Sequence, residues 1–254
     1  VVFVVSENKS IKLYVILFFI FVLLIVGYFC IASFITTLGF TQSFNAKIKE
    51  KAVLTSETLS KRHTIVIDPG HGGEDPGAVA NGKIEKVLNL EIALKLKDFL
   101  KLSENDAILT RTGDVLLYRP GQEDRKKFYD LRNRLHIAQN AGNGIYVGIH
   151  MNKFPIEKYH GLQTFYSDNN EGSRILADFV QESCRLADTT NNRLIKPDGS
   201  TIYILENIEI PAILIECGFL SNPGEAERLA NPGYQSKLAF LIFCGIEQYT
   251  TGLQ

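Results

Sequence analysis

Thr64-Ile65-Val66-Ile67-Asp68-Pro69-Gly70-His71-Gly72-Gly73 is an apolar run that stops at Asp-Pro-Gly and then presents a histidine among glycines. Thr64–Ile67 reads as a short buried strand, and Asp-Pro-Gly as the turn that ends it. Outward from it, strand-like and helix-like runs alternate. Leu88, Ile92, Leu96 and Phe99 recur at helical spacing over 86–100. Ala107–Thr110 reads as a strand, Leu131, Leu135 and Ala138 as a helix, and Ile145–Ile149 as a strand followed at once by His150. Leu162–Tyr166 is a further strand, Ile175 to Val180 lies on a helix, and Ile213–Ile215 is a buried strand ending at Glu216. Leu238, Leu241, Ile242, Ile246 and Tyr249 mark a last helix. Strands alternating with helices predict an α/β domain with a sheet flanked by helices, and such sheets carry their sites at the carboxyl ends of the strands.

Three polar groups fall at such ends. His71 lies on a glycine-rich loop, where it is either an exposed functional group or a surface residue of a plain turn. His150, with Asn152 two residues on, suits a metal ligand on a rigid element and equally a satisfied core histidine. Glu216 closes an apolar strand, where a carboxylate is costly to bury without a partner. A fourth group, Glu85, precedes the 86–100 helix, a position that also suits a carboxylate interacting with the helix dipole. Two histidines and one carboxylate with an open position form a common catalytic zinc set, and a further glutamate can serve as base. The residue types that amide hydrolysis requires are therefore present.

The composition is that of a globular protein, 45% hydrophobic and 22% charged, with a net charge of −1 that gives no footprint for nucleic acid. Cys30, Cys184, Cys217 and Cys244 match no zinc-finger or CxxC spacing and lie in or beside apolar runs, so no disulfide framework is expected. From Leu13 to Phe40 no residue is charged, a run long enough to cross a bilayer as one helix. The expected organisation is a cytoplasmic segment at 1–12, a membrane anchor or signal-anchor at 13–40, a polar linker at 41–62 and the catalytic domain at 63–254. Lys9 and Lys12 before the run balance Lys47, Lys49 and Lys51 after it, so charge does not set the orientation. The domain is expected outside the cytoplasm.

Six segments then carry a resemblance: DPGHGG (68–73), GKIEKVLNL (82–90), LTRT (109–112), LRNRLHIAQN (131–140), GIHMN (148–152) and IECGFLSNP (215–223). Their order resembles the zinc-dependent type-3 family of N-acetylmuramoyl-L-alanine amidases over about residues 63–250, and the short anchored form resembles its germination-specific, spore-cortex branch. The resemblance implies a mixed α/β sheet flanked by helices and a Zn²⁺ cofactor held by His71, Glu85 and His150. It also implies Glu216 as the catalytic residue and peptidoglycan as substrate, cut between N-acetylmuramic acid and L-alanine. Relatives often carry Ser and Ala where this chain has Gly148 and Met151, which alters the groove wall beside His150. Arg111, Arg134 and Lys196 are candidates to bind substrate carboxylates or to support the site, and Asp68 to orient the His71 loop. His63, His136 and His160 match no ligand motif. No segment reads as a helix that plugs the site, and control by an unidentified regulatory partner protein is compatible with the sequence. Two other readings stay open: a zinc peptidase acting within the stem peptide, and an inactive wall-binding module.

Overall fold

A computed structural model describes residues 62–252. The expected segments 1–12 and 13–40, and all of the 41–62 linker but its last residue, lie outside the described residues. Among the described residues, no helix is long and apolar enough to cross a membrane. The elements run β1 (Thr64–Pro69), β2 (Val79–Ala80), β3 (Lys83–Ile84), α1 (Glu85–Leu100), β4 (Asp106–Leu109), α2 (Lys126–Gln139), β5 (Gly144–Asn152), β6 (Gln163–Tyr166), α3 (Glu171–Cys184), β7 (Lys196–Pro197), α4 (Tyr203–Asn207), β8 (Ala212–Phe219), α5 (Pro223–Leu229) and α6 (Pro232–Thr251).

The main sheet has the order β4-β1-β5-β8-β6-β7. The first four strands are parallel; β6 runs antiparallel to β8 and carries β7 parallel to itself. The sheet is therefore mixed, as expected. Its central strands read as unbroken apolar runs because both faces are covered. Ile65 and Ile67, Val147 and Ile149, and Ile213 and Ile215 pack with α1, α3 and α6. The intervening Val66, Tyr146, Ala212 and Leu214 pack with α2 and α4 through Leu135, Ala138, Ile204, Leu205 and Ile208. Two-residue alternation along each strand thus sorts the core into two layers.

Two strands are longer than their apolar runs. β5 continues through His150 to Asn152, and β8 continues through Glu216 to Phe219. Both residues therefore sit within strands, where the sequence placed them just after or at the end of one. The ladder persists because backbone pairing ignores side-chain polarity, and at its carboxyl end the strand surface need not be apolar. The β2–β3 hairpin was also not expected. Its turn is Asn81-Gly82, both with positive φ (49° and 69°), the pair that favours a two-residue hairpin. The hairpin leads directly into α1, so Glu85 is the first residue of that helix.

Candidate active site

In parallel register, His150 of β5 lies directly beside Glu216 of β8. Alternation puts both on the face of Tyr146 and Leu214, just beyond the part that α2 and α4 cover. β1 ends beside them, and its following loop turns His71 toward the same spot. That turn has an unusual backbone: His71 itself has φ 63°, a conformation that a non-glycine residue adopts only when its surroundings impose it.

The surroundings are a buried polar cage around Arg134 of α2. Its Nη1 donates to Asp68 Oδ1 at 2.6 Å and to the Pro69 carbonyl at 2.9 Å, and its Nη2 donates to the His71 carbonyl at 2.7 Å. Its Nε donates to Asp130 Oδ2 at 2.9 Å. Arg111 donates to the carbonyls of Pro69, Gly70, Lys86 and Gly113. Asp68 also accepts hydrogen bonds from Thr110 and from the Tyr146 hydroxyl. Burial pushes the Asp68 carboxyl up, but the Arg134 charge and these hydrogen bonds outweigh it and hold the group below its ordinary range. Burial, with Arg134 close by, draws the Arg111 guanidinium down to about 10. Asp68 and the two arginines thus support the His71 loop, and the donors of Arg111 are spent on backbone carbonyls. Lys196 is exposed on β7, and among the described residues no hydrogen bond or ion pair joins it to His71, Glu85, His150 or Glu216.

At the centre, His71 Nε2 and His150 Nδ1 lie 3.2 Å and 3.0 Å from the same oxygen, Glu85 Oε1. One ligand atom from each of these three residues falls within 4.8 Å of the others. His71 Nδ1 is bonded to Asp75 Oδ2 at 2.9 Å, so a proton on Nδ1 leaves the Nε2 lone pair facing the cluster. Glu85 is held by the Ala78 amide on Oε2 and by the Met151 amide on Oε1, with Asn89, one helical turn on, reaching Oε1 at 3.3 Å. Burial raises the Glu85 carboxyl, yet hydrogen bonds and charge from His150 and His71 pull it far below the ordinary range. Burial lowers His71, and the Glu85 and Asp75 carboxylates more than reverse that.

Two glycines make room for this packing. A Cβ on Gly70 would lie 2.1 Å from the His150 ring, and one on Gly77 would lie 2.5 Å from Glu85 Oε2 and 2.6 Å from the His71 ring. Glu216 stands beside the cluster in a different state. Its Oε2 is buried without a hydrogen-bond partner among the described residues. Burial pushes its carboxyl up to about 7, with His150 and His71 opposing and Glu85 adding to the rise. A buried carboxyl of that kind, next to a compact set of two imidazoles and a carboxylate, can exchange a proton with a bound reactant.

The structure therefore brings together all four residues singled out in the sequence. It adds Asp75, Asn89 and Tyr146, which the sequence reading passed over. Asp75 lies four residues after His71, and Asn89 lies one helical turn after Glu85, so a search for partners at short range would have found both. Tyr146 had no such signal, because its hydroxyl meets Asp68 only across the sheet. His63, His136 and His160 lie outside the cluster, His136 beside Asn140 and His160 near Asp188. Cys184 and Cys217 are buried free thiols, and Cys244 is half-buried and free.

Comparison with known proteins bears on the family and the fold. Residues 65–248 match the family described as N-acetylmuramoyl-L-alanine amidase. The germination-specific N-acetylmuramoyl-L-alanine amidase of Bacillus subtilis is 37% identical over 190 residues, 74% of this chain and 79% of that protein. The CwlD amidase of Clostridioides difficile, solved in complex with the GerS lipoprotein, is 42% identical with a TM-score of 0.70, covering 73% of this chain and 97% of that one. The catalytic domain of CwlV, an N-acetylmuramoyl-L-alanine amidase from Bacillus (Paenibacillus) polymyxa, is 29% identical with a TM-score of 0.64, covering 74% and 97%. With a match across most of its length, a shared fold and relatives above 30% identity, this chain belongs to the N-acetylmuramoyl-L-alanine amidase family.

Proposed function

We propose that this chain is a zinc-dependent hydrolase of peptidoglycan that cuts the amide between the lactyl group of N-acetylmuramic acid and L-alanine. The observation that carries the reading is the convergence of His71 Nε2, Glu85 Oε1 and His150 Nδ1 beside a buried, unpartnered Glu216 oxygen. Two imidazole nitrogens and a carboxylate oxygen form a donor set suited to Zn²⁺ with a position left open. Glu85 and Asp75, both held below the ordinary carboxylate range, also bring negative charge to these nitrogens, and a dication would offset it. His71, Glu85 and His150 would hold the ion, with Asp75 fixing the His71 ring. When bound, zinc supplies Lewis acidity toward a carbonyl oxygen and toward water.

The chain's own groups do the rest. Glu216 Oε2 takes the proton of the attacking water as its oxygen bonds to the lactyl carbonyl carbon. It then returns that proton to the L-alanine nitrogen as the carbon–nitrogen bond breaks. The products are a glycan with a free lactyl carboxylate and a peptide beginning at L-alanine. The Arg134 and Arg111 cage holds the His71 loop in its imposed conformation, so the ligands are positioned before substrate arrives.

Incubating the full chain with purified peptidoglycan, with and without a zinc chelator, and identifying the new termini by mass spectrometry tests the reading. Chelator-sensitive release of peptides starting at L-alanine is expected. Cleavage within the peptide would instead assign a peptidase, and intact peptidoglycan in the presence of zinc would overturn the hydrolase. Gly70→Ala supplies a second check, because its methyl group would overlap the His150 ring. Zinc affinity should fall about 10- to 100-fold, the size of effect seen when support around a ligand is removed. Unaltered zinc binding, measured by titration, would show that the ring position does not matter.

The same reading puts the catalytic domain (63–254) outside the cytoplasm, in the cell wall or spore cortex. Residues 13–40 would anchor it, with 41–62 as the linker and 1–12 on the cytoplasmic side. Recovery of the intact chain in the membrane fraction after alkaline extraction is the expected result. The relative solved with a lipoprotein supports a regulatory partner protein for this chain as well.

A further inference from the structure

Arginine 193 has a place in the fold that its position in the sequence does not suggest. It lies in the segment before β7, and its guanidinium stacks on the Phe219 ring, with Cζ 4.5 Å from the centroid. Its Nε donates to the His160 carbonyl at 2.8 Å, and its Nη1 to Gln163 Oε1 at 3.2 Å. Gln163 is in turn fixed by its own amide nitrogen on the Leu194 carbonyl. Every partner of this guanidinium is neutral, and among the described residues no carboxylate pairs with it. The two buried arginines of the domain differ from it: Arg134 has Asp68 and Asp130, and Arg111 donates to four carbonyls.

The sheet register connects this arginine to the site. Gln163 of β6 sits directly opposite Glu216 of β8. Between the pairs His150–Glu216 and Asn152–Phe219 the register slips by one residue on β8. That slip returns Phe219 to the face that Glu216 occupies. Glu216, Gln163, Phe219 and Arg193 therefore form one continuous wall. A single residue, Gln163, thus links the two: it pairs with Glu216 across the sheet and its side chain meets the Arg193 guanidinium.

We propose that Arg193 is a specificity-determining residue that binds a carboxylate on the peptide side of the substrate, within about two residues of L-alanine. The inference rests on the amidase reading above. Its direction comes from the substrate's chemistry: the carboxyl group of N-acetylmuramic acid is itself the amide being cut, so before hydrolysis only the peptide bears an acid. A guanidinium fixed by neutral acceptors and stacked on an aromatic ring keeps its charge and a planar donor edge available for such a group. The stem glutamate that follows L-alanine, whose α-carboxyl lies outside the chain linkage, is the first such acid after the amide that is cut.

The test compares two synthetic muropeptides that differ at one group: N-acetylmuramoyl-L-alanyl-γ-D-glutamyl-L-lysine with the glutamate α-carboxylate free, and the same molecule with that carboxylate converted to an amide. The full-length chain should cleave the free acid with a kcat/KM at least about tenfold higher, the scale of one charged hydrogen bond, and the difference should lie mainly in KM. In Arg193→Ala the ratio between the two substrates should collapse toward one, and Arg193→Lys should restore part of it. A merely structural role would lower both substrates alike and leave the ratio where it was; that result overturns the proposal, as does a wild-type chain that does not distinguish them. If the wild-type chain cleaves neither substrate at the muramoyl amide, the amidase reading fails and this inference falls with it.

Discussion

Glu216→Gln is expected to lower kcat about 10³-fold while zinc still binds. The amide side chain is nearly isosteric, so the strand and the neighbouring His71, Glu85 and His150 keep their places. What it lacks is the capacity to accept and return a proton, and a positioned acid–base group contributes on that scale, about 4 kcal/mol of barrier. Two features make Glu216 suited to the task. Its Oε2 has no partner within the described part of the chain, so it is available to a reactant. Burial pushes its carboxyl up to about 7, closer to the range where a group can take a proton and give it back, although a bound dication would draw that value down. Metal content by mass spectrometry and turnover of peptidoglycan, measured on the same preparation, separate the roles. A variant that keeps near-wild-type turnover removes Glu216 as the base, and one that loses zinc as well places it among the groups that hold the ion.

The second large effect is on stability. Arg134→Met should destabilise the domain by about 3–5 kcal/mol, because it leaves the Asp68 and Asp130 carboxylates without their buried cation. Arg134→Lys should recover only part of that. A lysine keeps the charge but cannot present the fork that reaches Asp68, Asp130, Pro69 and His71 at once. Denaturant unfolding of the three proteins would measure both differences; equal stability of Met and Arg variants would show that the cage is held by its other hydrogen bonds. The same cage has a pH signature. Asp68 in the folded chain lies below its ordinary value of 3.8. Its contribution to stability is therefore complete above about pH 4 and is lost as pH falls through the lower, folded-state value. Asp68→Asn should flatten that acid limb of the stability profile while lowering stability at neutral pH.

How much of this could be read without coordinates differs from residue to residue. The strands at 64–67, 145–149 and 213–215 were legible because a strand buried on both faces leaves an unbroken apolar run. The helices of 86–100 and 238–249 were legible because one buried face recurs at helical spacing. The hairpin at 79–84 escaped because two-residue strands carry no periodicity, although Asn81-Gly82 marks its turn. The ends of β5 and β8 were set too early, since His150 and Glu216 interrupt the apolar pattern without interrupting the backbone ladder.

The amino-acid sequence by itself determined the α/β alternation and the family, and it singled out His71, Glu85, His150 and Glu216, which the fold brings together, because those readings depend on local order and on residue type. Only the tertiary structure decided what surrounds them. Of the two roles open to Arg111 and Arg134, binding substrate carboxylates or supporting the site, it assigned the support of the His71 loop, and it set Arg193 against Phe219 and Gln163. The physical reason is that a guanidinium's role is set by which acceptors it meets. Those acceptors come from strands and loops tens of residues away, and only the folded sheet brings them within hydrogen-bonding distance.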